Sequence, residues 1–156
     1  MKKFFFLLSL LISFSIGQIL GASPATLSFS AKCNGSGTDS DGNTWTITSD
    51  GTESTFDNTK GIHYGTSSAQ VKYIRLSTSG ISGTITQVTV NASVGSGVTA
   101  TAAVKVGTTD FTTGSPASTT VSLTSTAANY TFTGSASGDI LVEITKPSKA
   151  AKAIYC

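Results

Sequence analysis

Charge is scarce in this chain: only 12% of its 156 residues are Asp, Glu, Lys or Arg. The side chains that most catalysis depends on are scarcer still. There is one histidine (His63), one tryptophan (Trp45) and two cysteines (Cys33 and Cys156). A single histidine with no G-x-S-x-G elbow leading into a helix gives no support to a Ser–His–Asp site. One His and two distant Cys cannot assemble a zinc cluster. No cysteine lies where a leader would be cut, which disfavours a lipid anchor. Beyond the first 22 residues no segment keeps a 3.6-residue apolar period, so essentially no helix is expected there.

What is present begins with a targeting signal. Lys2 and Lys3 precede an apolar run from Phe4 to Ile12, and small residues follow at Ser15, Gly17, Gly21 and Ala22. A basic start, a short apolar core and small residues at the exit specify a secretory signal peptide over residues 1–22. Cleavage is expected after Gly17, with Ala22 as the alternative. The apolar run is shorter than the roughly 20 residues a membrane-spanning helix needs. The expected destination is therefore the medium, the periplasm or the cell surface.

The leader also carries the net charge. From Ser23 onward eight basic residues face eight acidic ones, so the formal +2 of the whole chain belongs to Lys2 and Lys3. A neutral domain has no electrostatic footprint for nucleic acid, whose binding rests on neutralising phosphates. Lys146, Lys149 and Lys152 form a local basic patch, which reads as a solvated loop and strand edge.

The remaining residues, 23–156, suit a single domain large enough to bury a core. About a third of them are Ser or Thr, which keeps the surface wet without charge, and β-branched Thr favours strands. Period-two alternation recurs at 25–33, 43–49, 61–64, 71–78, 83–92, 98–106, 119–124, 129–133, 139–145 and 151–155. The clearest case sets Val98, Ala100, Ala102, Val104 and Val106 on one face. About ten short strands punctuated by Gly, Asn, Asp and Ser predict an antiparallel β-sandwich, jelly-roll-like in form. The apolar phase slips between Ile85 and Val88, which predicts a β-bulge near Gln87. The T-x-T triplets have no fixed period, which argues against a solenoid.

Several residues qualify as candidates for chemistry. Asp39, Asp41 and Asn43 offer hard oxygens within five residues, the type Ca²⁺ prefers, although no Glu follows at the EF-hand position. A strand-connecting turn has the same composition. Asp50, Glu53 and Asp57 could supply an acid and a base on paper. A single sandwich with short loops seldom builds the cleft a glycosidase needs, so a polar capping loop is the reading adopted. Among aromatics, Trp45 alternates with Thr44 and Thr46 and shares a face with Ile47, the signature of a core residue. Tyr64, at a strand end beside Gly65, could reach a loop-built surface, with His63 next to it; Tyr73, Phe56 and Phe111 are harder to place. In an oxidising compartment Cys33 and Cys156 could form a disulfide, or remain free thiols.

The stretch Trp45-Thr46-Ile47-Thr48-Ser49-Asp50-Gly51, followed by Lys60-Gly61-Ile62-His63-Tyr64-Gly65, resembles uncharacterised modules of secreted and surface multidomain proteins of gut bacteria. The likeness continues through Tyr73-Ile74-Arg75-Leu76-Ser77, Ile85-Thr86-Gln87-Val88, Tyr130-Thr131-Phe132 and Ile154-Tyr155. Those modules look like carbohydrate-binding jelly rolls, found beside hydrolases, nucleases and adhesin-like domains. The resemblance brings no catalytic residues and does not specify a ligand. With the aromatics above, the expectation is a non-catalytic, glycan-binding module without a cofactor, with Tyr64, His63, Tyr73 and Trp45 as the candidate contacts. A structural or adhesive spacer is the alternative. In that family the Trp and the Gly-x-x-Tyr-Gly pattern look structural, and the last strand usually runs on past the Lys-Ala-Ile-Tyr positions. The resemblance thus implies either a truncated end or a short final strand here. A jelly roll's first and last strands commonly pair, which would bring Cys33 near Cys156.

Overall fold

The computed structural model describes residues 24–156; the leader expected over 1–22 lies outside them. Eleven strands make up the described chain: β1 (Ser36–Thr38), β2 (Thr44–Ser49), β3 (His63–Tyr64), β4 (Val71–Thr78), β5 (Ile85–Val94), β6 (Thr101–Val106), β7 (Thr109–Asp110), β8 (Thr120–Ser122), β9 (Ala128–Ala136), β10 (Ile140–Ala150) and β11 (Ile154–Tyr155). A seven-stranded sheet runs β1-β2-β4-β10-β6-β7, with β8 also on β6, and a four-stranded sheet runs β3-β11-β5-β9. Every pairing is antiparallel. The two sheets pack face to face as the expected all-β sandwich. The principal strands alternate between the sheets along the chain, as in a jelly-roll-like path.

Alternation decides which side chains enter the core. On β6, Ala102, Val104 and Val106 are buried, as are Ile140, Val142 and Ile144 on β10 and Val88, Val90 and Ala92 on β5. Trp45 and Ile47 of β2 join them from the other flank, and Phe111 and Phe132 close the far side. Gly134 makes room for Phe111: a Cβ there would stand 2.5 Å from the ring.

A register shift lies beside Gln87, where a bulge was expected, but the extra residue belongs to β9 rather than β5. Ile85 pairs with Ala136 and Gln87 with Thr133, so two steps on β5 oppose three on β9. The expected strand over 25–33 does not form. Leu27 makes one isolated bridge to Asp39, and Ala25 and Leu27 are buried without laddering. Instead β1 lies after a turn at Asn34 and Gly35, both at positive φ, where alternation alone gave no strand. The pairing segment of β6 starts at Thr101 rather than residue 98, and β10 runs on to Ala150, beyond the expected 145.

Candidate functional site

The residues singled out from sequence divide among three places. Trp45 and Tyr64 face the core, at 0% and 4% exposure, so neither can stack on a ligand. The Trp45 indole donates to Asp39 Oδ2 at 3.0 Å. Tyr64 presents its hydroxyl to Cys33 Sγ at 3.4 Å, and burial pushes its phenol above the ordinary range. His63 lies on the outer side of the four-stranded sheet. Its Nε2 is 2.9 Å from Gly65 O, and its ring stacks on Tyr155 with centroids 4.7 Å apart. Lys60 Nζ approaches the same tyrosine at 4.8 Å. Only Tyr73 reaches the outer face of the large sheet.

The carboxylates are committed to the backbone. Asp39 Oδ1 accepts from the amides of Asp41 and Asn43 and from Asn43 Nδ2, while Oδ2 accepts from Asn43 Nδ2 and the Trp45 indole. Burial pushes this carboxyl up, and the hydrogen bonds from Trp45 and Asn43 outweigh that and hold it below its usual value. Of the two readings open for Asp39, Asp41 and Asn43, a Ca²⁺ site or a strand-connecting turn, these contacts fit the turn. Asp39 has its lone pairs filled by donors, and Asn43 turns a donor toward it. Glu53 caps the amides of Cys33 and Asn34. Asp57 caps Thr59 and Lys60. Asp50 Oδ1 accepts from the amides of both Lys72 and Tyr73. Three separate turns thus use the three acids, matching the capping-loop reading. Among the described residues no group of three His, Cys, Asp or Glu side chains could hold a metal ion.

Of the two alternatives open for Cys33 and Cys156, a disulfide or free thiols, the structure has free thiols. Cys33 sits in the turn before β1, tied by its amide to Glu53, with the Tyr64 hydroxyl at its sulfur. Cys156 is fully enclosed, its backbone paired with Ile62, and burial raises its thiol well above the ordinary value.

The outer face of the seven-stranded sheet holds a cluster of charged and aromatic side chains. Because Ile74 and Leu76 point inward, Tyr73, Arg75 and Ser77 point outward. Arg75 pairs in register with Thr48 on one side and Glu143 on the other; Glu143 in turn pairs with Ala103, and Ala103 with Thr120. Tyr73 is opposite Thr145, and Thr145 opposite Thr101. Cross-strand neighbours on one face lie about 5 Å apart, so these side chains form one surface. Arg75 Nε and its terminal nitrogen contact Glu143 Oε1 at 2.9 and 2.8 Å. Its guanidinium carbon lies 4.5 Å from the Tyr73 ring centroid. Both arginine contacts use Oε1, and no described residue bonds Oε2.

Arg75 and Glu143 are partly exposed, at 46% and 32%, and such a pair adds at most about 1 kcal/mol of stability. What it supplies is fixed geometry beside an aromatic. Asp50 secures that geometry by replacing a partner strand at the amides of Lys72 and Tyr73 where β2 ends. Sequence reading picked out Tyr73 and passed over Arg75 and Glu143. Their outward phase was legible from Ile74, Leu76, Val142 and Ile144; their meeting across 68 positions was not.

Comparison of the chain with protein-family models, with curated proteins and with solved structures found no match in any of the three.

Proposed function

We propose that this chain is an exported, non-catalytic binding module that lays a polysaccharide across the outer face of its seven-stranded sheet. The observation that carries the reading is the Tyr73–Arg75–Glu143 cluster set among threonine hydroxyls. A sugar ring offers C–H bonds to an aromatic edge and hydroxyls to charged acceptors and donors. Tyr73 provides the first contact, and Glu143 Oε2 and the Arg75 guanidinium provide the second. The flat, hydroxyl-lined surface suits an extended chain rather than a small molecule held in a pocket.

A glycan array probed with the wild type, Tyr73→Ala and Glu143→Gln tests this. Binding to a polysaccharide class by the wild type, lost in both variants without a fall in melting temperature, is the expected result. A flat array at concentrations that register weak modules would discard the reading. It would leave the spacer function, which the burial of Trp45 and Tyr64 favours. Export through the leader belongs to the same proposal. N-terminal sequencing of the protein recovered outside the cytoplasm should begin at Gln18 or Ser23.

A further inference from the structure

The lysine patch at the end of β10 differs from its sequence expectation. Lys149 is half-exposed and paired with Asp50 at 3.5 Å, as a solvated loop would have it. Lys146 is only 1% exposed. Its ammonium donates to Ala150 O at 3.1 Å and Lys152 O at 2.7 Å, and no carboxylate of a described residue pairs with it. Lys152, held at positive φ (81°), folds its own ammonium onto Ser96 O at 2.6 Å. Both lysines line a depression of about 430 Å³, whose other walls come from Gly97 to Thr99 and from Pro147, Ser148, Ala150 and Ala151. None of the residues lining it is acidic.

A clamp on the loop carbonyls would need only a neutral donor. The charge is what a donor alone does not explain, and a buried ammonium without a counter-charge is costly. The nearest acid, Asp50, is spent on the Lys72 and Tyr73 amides and on Lys149. We propose that the depression between residues 97–99 and 146–152 binds an anionic group, a carboxylate or sulfate, through Lys146 and Lys152. Burial pulls the Lys146 ammonium below its ordinary pKa, with Asp50 only partly restoring it, and a bound anion would return it upward. Outward Thr145 directly precedes inward-phased Lys146 on β10, so an acidic polysaccharide long enough to turn that end of the sheet could engage both. The anion site itself stands apart from the polysaccharide reading.

The test uses the isotope-labelled exported protein at fixed ionic strength, with sulfate replacing chloride. Saturable amide shifts confined to Gly97, Thr99, Ser148 and Ala151 are expected. Lys152→Gln, at an exposed position that should fold normally, should weaken binding about tenfold or more, whereas Lys105→Gln, at the opposite end of β6 and paired with Asp110, should not. Lys146→Met, if it folds, should lose the response altogether. Shifts spread over the whole surface, or equal loss in Lys152→Gln and Lys105→Gln, would overturn the proposal. Oligogalacturonate identifies the source. Tighter binding than sulfate that falls back to the sulfate level in Tyr73→Ala assigns the anion to a glycan. Equal binding assigns it to a small free anion. Neutral polysaccharides, measured separately, report on the sheet face alone.

Discussion

Replacing Asp39 by Ala is the sharpest test of how this fold is held. The carboxylate receives donors from Asp41, Asn43 and the fully buried Trp45 indole. Hydrogen bonds to a charged acceptor contribute roughly 1.5–3 kcal/mol each, and these share one acceptor, so a combined loss of roughly 3–5 kcal/mol is expected. For a domain of this size that lowers the melting temperature by roughly 6–20 °C. Trp45 is the single tryptophan of the chain, so its fluorescence in a urea titration reports the site and the global transition together. Asp39→Asn keeps the volume but turns an amide N–H₂ toward other donors, and should fall between the wild type and Asp39→Ala. A melting temperature for Asp39→Ala within about 2 °C of the wild type, with an unchanged urea slope, would refute the assignment of Asp39 as the anchor of this turn.

Other outcomes follow from the same geometry. Asp39, Asp50 and Asp57 all have carboxyls held below their usual values by hydrogen bonds that outweigh burial. Each therefore adds stability that is complete above the unfolded value of about 4 and is lost as pH falls through the lower folded value. Urea midpoints should be flat from about pH 7 to pH 5, then drop below about pH 4, with a shallower drop in Asp39→Ala. Gly134→Ala drives a methyl into the enclosed Phe111 ring and should cost about 1–3 kcal/mol by denaturant titration, while a Gly42→Ala control meets no side chain and pays only for its positive φ. With both thiols free, alkylation should modify half-buried Cys33 before enclosed Cys156, and the unreduced intact mass should match the dithiol. A two-dalton deficit that reductant restores would instead reveal the bond.

Much of the sandwich was legible before any coordinates. Alternation on β4, β6 and β10 fixed strands and inward faces because a strand's side chains switch sides at every residue. The core placement of Trp45 followed from its phase with Ile47; the slip between Ile85 and Val88 marked the place of the register shift but not that the extra residue lies on β9. The segment 25–33 misled because it alternates and is buried, yet finds only one bridging partner; alternation reports burial, not pairing. Short elements such as β1 and β7 carry too few residues to show a period.

The sequence by itself determined the neutral charge from Ser23 onward and the all-β class, and it offered no recognisable catalytic motif. Each of these depends only on composition or on neighbours a few residues apart. Tertiary structure alone decided what the polar residues do. It buried Tyr64, spent Asp39, Asp50 and Asp57 on backbone amides, enclosed Lys146 among carbonyls, and set Arg75 against Glu143. Those outcomes rest on register between strands distant in sequence, and register is fixed by how the two sheets share one core, which no local pattern encodes.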